Sequence, residues 1–477
     1  MRPSMFNARV RLPDGDVFLM NTFTDAQLRV SAEVAAWLDD CEAAAVAGRP
    51  LQRETLRAEE RAAAEVLAEH GVLVTSREAE REALAQRFDA HRADTTQLRV
   101  TVLTTLQCNF ACGYCVQGDH AQYDARTGRM SLDTADRVAA WIEGRLDTLR
   151  PSSLVLTFFG GEPLLNLPAT YALAERLWAA CTARGVRLLV NVITNGLLLT
   201  PEVVDRLVPL GLNGIKVTLD GDREAHDRAR PLRGGQGTFD RILNNLSRIA
   251  GRCAITIGGN VEADAIDRYP ALLALLREQP FADSVTKVSF KPVIHTTPGA
   301  ARQAPVIPLA GLRAGGPVTT AAAPASPAGG SPCDTCHFVD DHLDDLREET
   351  RRHGFPTPDG LHQGPCEIHR QHAHTVGPDG TLYACPGFAS ESALAVGHVE
   401  ADRAVAHEAT ARRFARLTPW DRCGDCEFIP VCAGGCVVAS HHQRGDMTAP
   451  TCHKRAFDSA LVSLAYETAG VQGDSHP

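Results

Sequence analysis

Six apolar runs, separated by helix-length intervals, dominate the middle of this 477-residue chain. They are LRVTVLTTL (98–106), SLVLTFF (153–159), VRLLVNVIT (186–194), GIKVTLD (214–220), AITIGGNV (254–261) and VTKVSFKPV (285–293). Strands that stay apolar on both faces are buried on both sides, and buried strands alternating with helices pair in parallel. Residues 96–296 are therefore expected to form an α/β unit of six βα repeats. The repeat spacing fits an open doubly wound sheet and a barrel alike. In both, ligand sites lie at the C-terminal ends of the strands.

The loop LQCNFACGYC (106–115) follows the first of these strands and places Cys108, Cys112 and Cys115 within eight residues. A disulfide uses two cysteines, and structural zinc usually takes four ligands. Three thiolates can hold three corners of a [4Fe–4S] cube, which leaves the fourth iron free to chelate a small molecule. Soft thiolates suit such a cluster. A chance grouping or a zinc site is the competing reading, and the position at a strand end speaks against it.

Composition narrows the setting. The chain has 15 cysteines, no apolar signal-type segment at its start and no run of about 18 apolar residues, so no membrane span is expected. It reads as cytoplasmic, where stable disulfides are rare and clustered cysteines are metal ligands or redox groups. Cys41, Cys181 and Cys253 stand alone and read as core or helix-face residues. A net charge of −10 argues against a chain-wide nucleic-acid surface.

Three further regions flank the repeats. Residues 1–95 read as a small α+β unit: ARVRLPDGDVFLMN carries a hairpin signal at Pro13-Asp14-Gly15-Asp16, and two helices, a short strand and a charged helix follow. Residues 297–335 are rich in Ala, Gly and Pro and read as a linker. Residues 336–465 hold Cys366-x13-Gly380-x4-Cys385, then Cys423-x2-Cys426-x5-Cys432-x3-Cys436, then Cys452. Seven thiolates fit one zinc with several to spare, two zincs with one short, or two iron–sulfur clusters. Spacing leaves zinc and iron open.

C-x3-C-x2-C with Tyr114 before the last cysteine resembles the radical S-adenosylmethionine (SAM) superfamily. That resemblance implies a partial (β/α)6 barrel. It also implies SAM chelated to the open iron through its amino and carboxylate groups, and reductive cleavage to a 5′-deoxyadenosyl radical that abstracts hydrogen. Cys108, Cys112 and Cys115 would carry the catalytic cluster. Gly160-Gly161-Glu162-Pro163, after the second strand, matches the family's SAM-ammonium motif. Thr194-Asn195 ends the third strand, and Thr218 stands where relatives often carry serine, in reach of the ribose or carboxylate. Arg230 is the candidate partner of the SAM carboxylate, with a surface salt bridge as its alternative. Asn260 on the fifth strand is a further candidate.

The seven-cysteine pattern resembles the SPASM domain that follows such barrels. The resemblance implies one auxiliary [4Fe–4S] cluster on Cys423, Cys426, Cys432 and Cys452 and another on Cys366, Cys385 and Cys436. Together with the SAM-binding cluster, that makes three. The second auxiliary cluster lacks a fourth protein ligand unless Cys333 or Cys336 supplies it. The alternatives are an open iron for a substrate thiolate, or Cys333–Cys336 as a redox pair.

Within the SPASM group the chain is similar to peptide maturases that modify ribosomally made precursors. Anaerobic sulfatase maturases are the second enzyme reading, but they carry a basic aspartate where Pro386 stands here. A non-catalytic zinc or iron–sulfur scaffold is the reading from another class. The N-terminal unit is similar to winged-helix-like leader-binding domains, which add a peptide strand to a sheet edge. Its alternative is a structural cap on the barrel mouth. The implied partners are a precursor peptide and a flavodoxin- or ferredoxin-type electron donor, with no nucleic acid and no membrane.

Overall fold

The computed structural model describes residues 1–115, 128–294, 334–361, 364–389 and 391–470, without the side chains of 334–338 and 341. Most of the expected linker therefore lies outside the described residues, as do Cys333 and the side chain of Cys336.

The N-terminal unit begins with β1 (Arg2–Pro3), β2 (Asn7–Arg11), β3 (Val17–Asn21) and β4 (Ala26–Val30). Helices α1 (Ala32–Val46) and α2 (Ala58–Glu69), strand β5 (Leu73–Val74) and helix α3 (Arg77–Ala93) follow. The expected hairpin is the β2–β3 turn, and the structure adds β4 as a third, outer strand of an antiparallel sheet. Asn21 makes that second turn, its side-chain oxygen accepting the N–H groups of Phe23 (3.1 Å) and Thr24 (3.0 Å). Every residue of β3 is buried. Leu19 joins Leu38, Leu67 and Leu73 in the unit's own core, while Phe18 and Met20 pack with Phe428, Val431, Phe457 and Leu461 of the cysteine-rich region. A second patch joins Met5, Phe6, Leu84 and Phe88 to Trp420 and Ile429. The unit is thus fused to the cysteine-rich region through shared apolar cores.

The six apolar runs are strands β6 (Gln97–Thr105), β7 (Ser153–Gly160), β8 (Arg187–Thr194), β9 (Leu212–Thr218), β10 (Ile255–Val261) and β11 (Val285–Pro292). They pair in parallel, each with its neighbour in sequence. Leu188, Val190 and Val192 of β8 are buried under the helix layer, and the intervening residues face the concave side. Six strands are too few to close a barrel of the eight-stranded kind, so the concave side keeps room for a cavity. Helix α4 (Leu132–Leu149) shows how the outer layer forms. Ser131 caps it by accepting the Thr134 N–H, and Ala135, Val138, Ala139, Ile142 and Leu146 make its buried stripe.

The open sheet has two edges, and the cysteine-rich region covers both. At one edge β12 (Ala373–Val376) adds in parallel to β6, followed by antiparallel β13 (Thr381–Tyr383) and β14 (Gly397–His398), giving nine strands in all. At the other edge the helix Asp334–Arg352 packs on β11 and on the helix Lys454–Ala469, and Val288 N–H bonds Pro356 O (2.8 Å). Among the described residues no helix is long and apolar enough to cross a membrane.

Candidate functional site

The cysteine loop leaves β6 at Thr105, whose hydroxyl accepts the Gln107 N–H (3.0 Å). Fully buried Phe110 anchors it. Ala111 N–H bonds Pro231 O (2.9 Å), and Arg233 Nε donates to Cys108 O (2.8 Å). Cys108, Cys112 and Cys115 form no disulfide and line one cavity of about 370 Å³ at the C-terminal ends of the strands. Burial pushes the Cys108 thiol up to about 12 and that of Cys112 to about 11. Thiols held this way yield their protons to a bound cation far more readily than to water.

The same cavity is lined by Tyr114, Gly160, Gly161, Thr194, Asn195, Thr218, Arg230 and Asn260. Gly160 has φ 124°, and a Cβ there would overlap Thr105 O, so only glycine fits. Glu162 and Pro163 sit behind this wall. Fully buried Glu162 accepts from Leu164 N–H (3.0 Å), Thr194 Oγ1 (2.7 Å) and Asn195 N–H (2.8 Å). The acid therefore ties the end of β7 to the end of β8, and the two glycines present backbone to the cavity. Asn195 is turned by Asn109, to whose side-chain oxygen it donates (2.7 Å).

Tyr114 is the hub of the opposite wall. Its hydroxyl donates to Asp220 Oδ2 and accepts from Arg230 Nη1 (2.7 Å) and Asn260 Nδ2 (3.1 Å). Asp220 Oδ1 accepts the Asn260 N–H (2.7 Å). Arg230 is only 8% exposed, which rules out the surface salt bridge, and its Nε has no hydrogen-bond partner among the described residues. That leaves one buried cationic donor for an anion in the cavity. His226 fixes Arg230 from behind. Its Nδ1 accepts the Asp220 N–H (3.2 Å), so its Nε2 carries the proton toward Thr238 Oγ1 (3.1 Å), which donates to Arg230 O (2.9 Å). Burial and then the charge of Arg230 hold His226 well below the usual histidine range, so it is neutral.

Lys216 on β9 and Lys291 on β11 line the cavity too, and among the described residues no carboxylate does. Burial, then Lys291 and Lys287, lower Lys216 to about 8. A Cβ on Gly258 would meet the Lys216 stem, so the Gly-Gly pair in β10 makes room for it. Asn109, Asp220, His226, Thr238 and the lysines were not among the residues expected from sequence. The double glycine inside an apolar strand was the available signal for the close approach of a side chain.

After burial, what opposes ionisation of Cys432 is Cys423, Cys426 and Cys452, and for Cys385 it is Cys366 and Cys436. Burial raises both thiols to about 12. Cys432 and Cys436 are four residues apart, which on one helix would place them on one face. Instead Ala433, Gly434 and Gly435 are all left-handed (φ 49°, 80° and 83°), ending the helix Ile429–Cys432. The next helix, Val437–Arg444, starts with Cys436 as its cap, the thiol accepting the Ala439 N–H (3.5 Å). Cys385, Pro386 and Cys436 reach the wall of the cavity that holds the first three cysteines.

Residues 102–260 match the family model of the radical SAM superfamily. The chain is 28% identical over 201 residues to the Fe-coproporphyrin III synthase of Methanosarcina barkeri, covering 41% of this chain and 44% of that protein. It is 34% identical over 165 residues to the GTP 3′,8-cyclase of Xanthomonas campestris, covering 33% and 43%. These alignments span less than half of each relative. Among solved structures, native anSMEcpe with bound AdoMet and Kp18Cys peptide shares the fold at TM-score 0.58 and 14% identity, over 78% of this chain and 99% of that one. The match begins inside β6 and ends at Asn260 on β10, so it takes in the cysteine loop, the Gly-Gly turn and the Tyr114–Arg230 wall.

Proposed function

We propose that this chain is a radical SAM enzyme that modifies a peptide, with two auxiliary [4Fe–4S] clusters besides the SAM-binding one. The observation that carries the reading is the shared cavity of about 370 Å³, lined by Cys108, Cys112 and Cys115 and also by Cys385 and Cys436. When bound on Cys108, Cys112 and Cys115, a [4Fe–4S] cluster supplies one electron at an iron without a protein ligand, the chemistry that splits SAM reductively. The chain's own residues do the binding and orienting. Gly160 and Gly161 offer carbonyls to the SAM ammonium, Arg230 Nε meets its carboxylate, and Thr218 and Asn195 bound the nucleoside. The apolar side chains Phe159, Ile193 and Val438 line the same cavity and limit water.

Cys423, Cys426, Cys432 and Cys452 would hold one auxiliary cluster and Cys366, Cys385 and Cys436 the other, with Cys333 or Cys336 as the open question of its fourth ligand. A peptide substrate is supported by the fold shared with anSMEcpe, solved with a peptide, and by β4, an outer strand paired only with β3 among the described residues. Pro386 stands in the cavity wall where an acid would serve a sulfatase-type maturation, and it can accept no proton. A flavodoxin- or ferredoxin-type donor would supply the electrons.

The test is anaerobic reconstitution followed by iron and sulfide analysis, with 5′-deoxyadenosine assayed under strong reductant. About twelve irons per chain, the content of three [4Fe–4S] clusters, together with SAM cleavage, are expected. Zinc in place of the auxiliary iron, or no cleavage, would overturn the reading.

A further inference from the structure

Away from the cavity, Glu391, His441 and His442 converge so that one ligand atom from each lies within 4.8 Å of the other two. The histidines are adjacent on the helix Val437–Arg444, and Glu391 follows the Pro386–Phe388 turn. His441 Nε2 is 3.2 Å from Glu391 Oε2, and His442 Nε2 is 3.6 Å from Glu391 Oε1. Phe388 packs edge-on against the His441 ring, with centroids 5.5 Å apart, and helps fix it.

A simple hydrogen-bonded pair accounts for His441 and Oε2. It does not account for the rest. Glu391 Oε1, His442 Nε2 and His441 Nδ1 are buried without a hydrogen-bond partner among the described residues. A neutral ring protonated on Nδ1 turns a bare lone pair toward a carboxylate oxygen, and the two repel. A proton on Nε2 would make the contact an ion pair but leave it at 3.6 Å, too long for a hydrogen bond, whereas a cation between them would be bound by both. Donors around a tetrahedral zinc at about 2.0–2.1 Å are roughly 3.3 Å apart, and the two observed separations lie on either side of that value.

We propose that Glu391, His441 and His442 form a site for a divalent first-row transition ion of the zinc type, separate from every cysteine. Imidazole and carboxylate suit such an ion, and three protein ligands leave the fourth position to water. The site is a staple. It joins the segment that carries Cys385 to the helix capped by Cys436, and so fixes two of the three thiols of that group relative to each other.

The test uses the full chain with its iron and sulfide in place, dialysed anaerobically against micromolar zinc chloride and desalted. Zinc and iron per chain are then measured in the parent, in His442→Asn and Glu391→Gln, and in the remote control His70→Asn. The parent and the control should hold about one zinc more than either site variant, with iron unchanged. Equal zinc in parent and variants would overturn the proposal. If His442→Asn also loses iron through misfolding, Glu391→Gln decides by the same count. Cobalt(II) in place of zinc should give only weak d–d bands. Strong thiolate charge-transfer absorption would put the ion on cysteines and contradict the assignment.

Discussion

The two cysteine regions reach their geometry by different means. The first is local: one loop of ten residues at the end of one strand delivers three thiols, and the sheet gives them their direction. The second is assembled. Its seven thiols are spread between Cys366 and Cys452, and glycine turns and shared apolar cores set their directions. A local site can be read from spacing. An assembled one can be read from spacing only as a set of cysteines, because the partition depends on backbone directions that spacing does not encode.

The strongest way to break the comparison is to remove the local site whole. Replacing Cys108, Cys112 and Cys115 together with alanine should abolish 5′-deoxyadenosine formation and lower iron by about four of twelve per chain. Unchanged iron content would sink the assignment of those residues. Next comes the wall that faces them. Tyr114→Phe removes the hydroxyl shared by Asp220, Arg230 and Asn260 and leaves a buried carboxylate short of a donor, at a cost of about 1–3 kcal/mol. SAM should bind roughly tenfold to a hundredfold more weakly, with iron content as in the parent, by equilibrium dialysis.

In the assembled region, Gly435→Ala tests the turn. A Cβ there meets Thr451 O at a left-handed φ, so about 1–3 kcal/mol of strain is expected. Auxiliary iron should fall while the iron on the first three cysteines stays. The smallest effect is on Lys216. Its folded value, lowered to about 8, lies below the ordinary 10.5, so the folded chain binds fewer protons than the unfolded one between those values. The burial cost is full below pH 8 and fades as pH rises to 10.5. Lys216→Met should therefore stabilise the protein by about 1–3 kcal/mol at pH 7, with the gain vanishing near pH 10.5 in denaturant titrations.

The six parallel strands were legible because each is a long apolar run ended by turn residues. β12 was not: AHTV is four residues long and exists as a strand only because it completes the edge of β6. The docking of the N-terminal unit was hidden for a similar reason. VFLM reads as one buried strand, and nothing in it says that Phe18 and Met20 belong to a different core from Leu19. In the site, Tyr114 and Arg230 stood out by motif, while Asp220 and His226, which hold them, came into view only with the hydrogen bonds. The direction change between Cys432 and Cys436 was written in Ala-Gly-Gly, but only the three positive φ values reveal it.

The central claim is that Cys432 and Cys436, four residues apart, serve different metal groups. The direct measurement is iron per chain in C423A, C432A, C436A, C423A/C432A and C423A/C436A after identical anaerobic reconstitution. The account predicts that C423A/C432A loses no more iron than C423A alone, about four per chain, whereas C423A/C436A loses about eight. If C432A and C436A instead remove the same iron, so that C423A/C436A loses only about four, the two thiols share one group and the account is wrong.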